Sequence, residues 1–482
     1  MKRNRSILNW LFLLMMTVGM TSCQGLVDAV FGSEDQPAQS SSSSSSTTPD
    51  IQIDNATLTL SVGQTASRPA TAKSADIQLT YASSTPAVAT VSQAGKVTAF
   101  SAGETTITVS APQISKSVSF KVVVNAISAE QLADVDKATP LTILPQDDGK
   151  ITVTFNNGIT LAGDIHYTIN DGQEQTIAKN TTGAYDIQAK KGDVVQLYSL
   201  NSALGGGSSS AARALTRAVD EGAKYINIRP SMKTEIFGNV MSLLKGKDGL
   251  EGATAIEAKN AFYGLFAGAD KLVNNDERLL VLPATTLTEG CYDNMFSGCK
   301  GIEKAPVLPA PKLEKGCYQE MFFDCSKLNS VKCLATDISA EGCTKNWLTN
   351  AGTEATGEKV LETLVPMTSG SDDGVPDGWT SFIPLSGITL DKTELVLIVG
   401  DAAAQLKATV LPEDATDKTV TWSIDKSAVA TVDATGKVTA VAEGEATITA
   451  KAGDKTATCK VTVKVAALET ANGYVAGGDP TK

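Results

Sequence analysis

The stretch Ala87-Val88-Ala89-Thr90-Val91, followed by Gly95-Lys96-Val97-Thr98-Ala99, Gly103 and Thr106-Ile107-Thr108-Val109, decides the fold class. Apolar and small polar residues alternate in it, which puts every second side chain on one face of a pleated strand. Glycines interrupt the runs where a tight or left-handed turn would oppose a side chain. The pattern predicts short antiparallel strands, each with one buried face, packed as a sandwich. It returns at Ala428-Val429-Ala430-Thr431-Val432, Gly436-Lys437-Val438-Thr439-Ala440, Gly444 and Ala446-Thr447-Ile448-Thr449. In both copies the later glycines lie eight apart, and the Val-Ala-Thr-Val run starts seven residues before the first of them. Val62-Gly63 and Val399-Gly400 correspond near the start of each copy. Tyr81 and Trp422 stand seven residues before Val88 and Val429 as candidate core aromatics.

On these residues, 51–126 and 385–466 resemble the bacterial immunoglobulin-like group 2 family. The resemblance implies two immunoglobulin-like β-sandwiches used as stalk or adhesion modules, with no catalytic residues to carry over. Cys459 aligns with Val118 without a gap and reads as a small packing thiol rather than a disulfide partner.

Between the sandwiches a 26-residue period runs from Leu282-Pro283 to Leu308-Pro309 to Leu334-Ala335, and from Cys291 to Cys317 to Cys343. Within the units Gly290-Cys291-Tyr292, Met295-Phe296 and Cys299 match Gly316-Cys317-Tyr318, Met321-Phe322 and Cys325. Ala261-Phe262, Leu265-Phe266 and Ala269 form a worn copy in front, and Trp347-Leu348 replaces Met-Phe in the last unit, as a cap would. Apolar residues at fixed positions in such a period predict stacked coils. The units resemble irregular leucine-rich repeats of bacterial surface antigens, which implies a short leucine-rich-repeat solenoid with cap over 236–384. Cys291, Cys299, Cys317, Cys325, Cys333 and Cys343 contain no Cys-x-x-Cys pair and have no histidine near them, so they do not read as a zinc site. Two readings stand: buried thiols or disulfides formed on export. Alanine at both matching positions of the worn copy favours thiols that pack.

The N-terminus sets the compartment. Lys2, Arg3 and Arg5 precede an apolar run from Ile7 to Met20, and Thr21-Ser22 leads to Cys23. The run is shorter than a spanning helix requires. Met20-Thr21-Ser22-Cys23 resembles a lipoprotein lipobox, with Met20 where Leu is commoner, which implies a signal peptide over 1–22 and lipidation of Cys23. A plain secretory signal with an incidental cysteine is the alternative. Residues 23–50 include seven consecutive serines, Ser40 to Ser46, and read as a Ser-rich tether; 467–482 read as a disordered tail.

Residues 127–235 carry the strand-like runs Ile151 to Phe155, Ile165 to Ile169 and Asp193 to Tyr198. Asn157-Gly158 and Asp171-Gly172 serve as hairpin signals, and Gly205 to Ser210 as a loose loop. A further β-rich, sandwich-like module is expected there. The chain has one histidine, His166, on a strand-like run, so imidazole-based catalysis and His-ligated metal have nothing to build on. Removing 1–22 leaves 38 basic against 53 acidic residues, which argues against nucleic acid. Ser369-Gly370-Ser371-Asp372-Asp373-Gly374 lacks the spaced ligands and closing glutamate of a calcium loop.

The expected fold class is therefore mainly β: two immunoglobulin-like sandwiches, a further β-rich module and a short leucine-rich-repeat solenoid. The expected function is that of a non-catalytic cell-surface lipoprotein for adhesion or protein–protein binding. It would be anchored to the outer membrane of a Gram-negative bacterium through Cys23, with no cofactor or metal and an extracellular protein or glycan as ligand. A glycan-binding lipoprotein and a structural spacer of the cell envelope are the alternatives.

Overall fold

The computed structural model describes residues 50–207, 223–275, 277–371 and 373–466. Cys23, the signal segment, nearly all of the serine tether and residues 467–482 lie outside the described residues. The described chain is mainly β.

Both sandwiches are built as the alternation requires. In the first, Leu58–Ser61, Lys116–Asn125, Gly103–Ala111 and Thr80–Ser83 form one sheet, and Thr65–Ser67, Lys96–Ala99 and Ala89–Val91 the other. Inward residues such as Val97, Ile107, Val109 and Val122 are fully buried. The second repeats the arrangement with Glu394–Ile398, Lys455–Lys464, Gly444–Ala452 and Thr421–Ile424 facing Ala404–Gln405, Lys437–Ala440 and Ala430–Val432. Gly95 and Gly436 both have positive φ. A Cβ there would meet the Arg68 carbonyl oxygen in one copy and the Leu406 carbonyl oxygen and Trp422 ring in the other, each at 2.7 Å.

Cys459 corresponds to Phe120 rather than Val118. Ala111 pairs with Lys116 across a four-residue turn, whereas Ala452 pairs with Lys455 across two residues, so the last strand shifts by two. A shift of two keeps the face. Cys459 is accordingly buried opposite Ile448, as Phe120 is opposite Ile107.

The middle module has two sheets, one carrying Leu141–Pro145, Ile165–Ile169, Val195–Ser199 and Thr234–Asn239, the other Gly149–Asn156, Gly183–Ala189, Lys224–Pro230 and Gly205–Gly207. Asn157-Gly158 turns the chain with left-handed backbone but joins no hairpin, because the strands before and after it belong to different sheets. Asn170 and Asp171 do close a hairpin, between Ile165–Ile169 and Gln175–Ile177. Gly205–Gly207, expected to begin a loose loop, pairs with Lys224–Pro230. The helix Ala129–Ala138 was not anticipated among β signals. Its N-terminus is a capping box in which the Ser128 hydroxyl accepts from the Gln131 amide and the Gln131 side chain accepts from the Ser128 amide.

No break falls at 235/236. Strand Thr234–Asn239 runs through that position and pairs in parallel with Leu272–Asn274 and Leu280–Val281, so one core continues from Leu141 to Trp379. Beyond it the chain forms stacked turns. The Phe262, Tyr292 and Tyr318 amides donate to the Cys291, Cys317 and Cys343 carbonyls at 2.8, 3.1 and 2.9 Å. Phe266, Phe296 and Phe322 donate to Met295, Met321 and Trp347, each at 2.9 Å. The rings follow the same columns, with Phe262 to Tyr292 at 5.6 Å and Phe296 to Phe322 at 5.6 Å between centroids. Tyr292 and Tyr318 are buried to the hydroxyl, which has no partner in either.

Each turn holds three left-handed residues four apart: Asn260, Gly264, Gly268; Gly290, Asn294, Gly298; Gly316, Glu320, Asp324; and Gly342, Asn346, Asn350. All but Glu320 are of the types that tolerate this region. Glu320→Gly should therefore raise stability by about 0.5–1 kcal/mol, seen as a higher denaturant midpoint at unchanged slope.

The seven described cysteines, Cys459 included, are free and buried. Burial pushes the Cys291 and Cys325 thiols up to about 12, and the thiolate is the reactive form. In the purified, air-exposed protein the six repeat thiols should react with Ellman's reagent only after denaturation and without added reductant. A requirement for reductant would mean disulfides.

Candidate functional site

The first sandwich does not stand apart from the body. Phe100, at the end of strand Lys96–Ala99, is buried among Leu144, Val194 and Phe237 of the middle module. Arg278 reaches this point from an insertion in the repeat. Leu272 to Leu282 spans ten residues where Ile302 to Leu308 and Leu328 to Leu334 span six, and the additional residues carry the guanidinium inward. Its Nε donates to Asp136 Oδ1, Nη1 to the Phe100 carbonyl at 2.7 Å and Nη2 to Thr139 Oγ1 at 3.1 Å. The guanidinium lies 4.4 Å over the Phe237 ring. The Leu279 amide donates to Asp136 Oδ2 at 2.6 Å, so both carboxylate oxygens are engaged. Burial pushes the Asp136 carboxyl up and the Arg278 guanidinium down, and each partner's charge pulls the other back towards its ionised form.

Beside the junction lies a groove of about 650 Å³ whose lining includes Lys96, Asp134, Asp171, Gln196, Tyr198 and Lys247. Tyr198 donates to Glu174 at 2.6 Å, stacks on His166 and lies under the Lys247 ammonium at 5.1 Å. The Tyr198 hydroxyl, with smaller help from His166 and Lys247, holds Glu174 below the usual carboxylate range. His166 is the half-exposed strand histidine that its setting suggests. The groove offers interspersed positive and negative groups to a polar ligand. Among the described residues of 127–230, Tyr167, Tyr198 and Tyr225 are 3%, 5% and 7% exposed and the half-buried Tyr185 stands edge-on to Tyr167, so the exposed coplanar aromatic platform that a glycan-binding alternative requires is not found there. No cluster of three metal-ligating side chains occurs among the described residues. The loop around Ser369–Gly374 instead caps the last turn: Asp373 Oδ1 accepts from the Asn346 amide at 2.8 Å and the Gly374 carbonyl from Trp347 Nε1 at 2.9 Å.

The two sandwiches place the chain among proteins built on immunoglobulin-like modules. Residues 47–124 and 384–463 each match the bacterial Ig-like domain (group 2) family, and the chain thus carries two such domains. Among curated proteins, 61 residues are 56% identical to a lacto-N-biosidase of Bifidobacterium bifidum, covering 12% of this chain and 5% of that protein. Over 84 residues the chain is 43% identical to an Ig-like virion protein of Serratia phage KSP90, covering 17% of this chain and 32% of that protein. The chain spans no more than 32% of the length of these relatives. Among solved structures, surface layer protein SbsC (domains 1–6) is 11% identical and is matched over 87% of this chain and 40% of that one, with a TM-score of 0.17.

Neither Arg278 nor Asp136 was singled out by sequence reading. The four-residue lengthening of an otherwise regular repeat, with an arginine inside it, was the available signal. Arg278→Leu should cost about 3–5 kcal/mol, because it leaves Asp136 buried and unpaired, whereas Asp136→Leu/Arg278→Leu should regain most of that loss. Urea unfolding of both variants checks the difference.

Proposed function

We propose that the chain is a non-catalytic cell-surface lipoprotein that mediates adhesion or protein–protein binding. In this reading it is anchored through Cys23 to the outer membrane of a Gram-negative bacterium, and residues 23–50 hold the folded body away from the bilayer. Residues 236–384 act as a short, irregular leucine-rich-repeat solenoid, whose stacked turns give an extended surface for a protein partner. The observation that carries the proposal is the pairing of two bacterial Ig-like domains with a stacked repeat between them. Such an assembly presents large rigid surfaces, and its chemistry is recognition by shape and charge.

Protease shaving and antibody labelling of intact cells test the proposal, with and without Cys23→Ala. The unmodified protein should be cleaved and labelled from outside, and Cys23→Ala should abolish cell-associated labelling. Protection of the unmodified protein in intact cells would place it in the periplasm and end the adhesion reading.

A further inference from the structure

The chain leaves both Ig-like domains at the same end. In the first, the Val62 amide donates to the Asn125 carbonyl at 3.1 Å; in the second, the Val399 amide donates to the Lys464 carbonyl at 2.9 Å. Gly63 and Gly400, next in the chain, are therefore equivalent. Phe100 and Val441 are equivalent as well, their amides donating to the Val88 and Val429 carbonyls at 2.9 Å each.

In the first domain the departing segment itself covers part of that end. Asn125 leads into the helix Ala129–Ala138, and Ile127, Leu132 and Val135 pack back against the sandwich core. A Cβ on Gly63 would meet Val135 at 2.6 Å. Val62 and Phe100 are accordingly only 6% and 4% exposed, whereas Val399 and Val441 are 36% and 46% exposed. Among the described residues nothing lies within 4 Å of where a Gly400 Cβ would be. Val465, which follows Lys464, is 57% exposed. The described chain stops at residue 466, beside this uncovered end, and residues 467–482 follow.

We infer that the segment 467–476 folds back onto the second domain and covers this end, seating Tyr474 over Gly400 beside Val399 and Val441. Position in the chain selects it: Val135 is the tenth residue after Asn125, and Tyr474 is the tenth after Lys464. Ten residues reach about 33 Å when extended, ample for a return to Gly400. Asn472-Gly473 favours a turn where the first domain continues its helix, so the tyrosine is presented by a turn. Charge is neutral to the choice. The end carries exposed Asp401 and Glu443 as well as Lys437, and Thr470 to Gly478 is uncharged, so the cover is apolar. A segment tethered this closely acts at an effective concentration on the order of millimolar, which gives it precedence over a free partner.

Hydrogen exchange of the full chain tests the assignment, read by mass spectrometry on peptides from 467–476. Their amides should exchange at least about tenfold more slowly than an unstructured segment does. Tyr474→Ser and Val441→Asp should each abolish the protection, while strand Lys455–Lys464 keeps its own in both variants. If Val441→Asp unfolds that strand, Tyr474→Ser alone decides, since residue 474 lies outside the sandwich. Exchange at the unstructured rate overturns the inference, as does protection that survives Tyr474→Ser. Protection that fades on dilution would make the cover a second copy's segment and overturn it equally. The assay involves neither Cys23 nor cells, so its failure leaves the surface-anchoring proposal to its own test.

Discussion

Asp136 and Arg278 meet across 142 residues of sequence in a site that excludes water, and the guanidinium continues to a carbonyl of a third module. Two charges buried this completely are tolerated only when every polar atom finds a partner. Here the carboxylate is held by the guanidinium and the Leu279 amide, and the guanidinium by Asp136, Thr139, Phe100 and the face of Phe237. Hydrophobic contact around Phe100 supplies the attraction, and the ion pair sets register, because any slip would strand a charge. The first Ig-like domain is thereby packed against the middle module instead of hanging from it as a bead on a string.

The stacked turns extend that body by a different principle. Each column keeps one side-chain kind through its middle turns: Cys291, Cys317 and Cys343 in one, Phe262, Tyr292 and Tyr318 in the next, and Phe266, Phe296 and Phe322 beyond. A turn adds the same contacts that its predecessor made, so stability grows by repetition. The ends are the weak points. At the C-terminal side Trp347 fills the volume that Met295 and Met321 fill earlier, and the Asp373-Gly374 loop accepts from the Asn346 amide and the Trp347 indole N–H. At the N-terminal side the parallel pairing of Leu272–Asn274 with Thr234–Asn239 closes the core against the middle module. The partnerless Tyr292 and Tyr318 hydroxyls are a local cost that the stacked rings outweigh.

Much of the architecture was legible along the chain, because its signals are local and repeated. Val-Ala-Thr-Val with its two glycines appears twice, and each appearance specifies strand, turn and buried face within twenty residues. The repeat columns were legible for the same reason. The capping box at Ser128 and Gln131 was equally local but was hidden among β signals. Asn157-Gly158 shows the limit of such signals, since its dipeptide dictates a left-handed turn and says nothing about which sheet receives the next strand.

The sequence by itself determined the two sandwiches and the stacked period, which follow from side-chain periodicity and glycine placement, and it left the repeat cysteines between packing thiols and disulfides. Only the tertiary structure decided that Thr234–Asn239 fuses the middle module to the repeat, that a two-residue difference in a hairpin puts Cys459 in the place of Phe120, and that Arg278 seats the first domain. It also decided that Phe100 is covered while Val441 is open. The physical reason is the same in each case. Periodicity fixes which face of an element is apolar, whereas the choice of what covers that face depends on contacts between residues far apart in the chain.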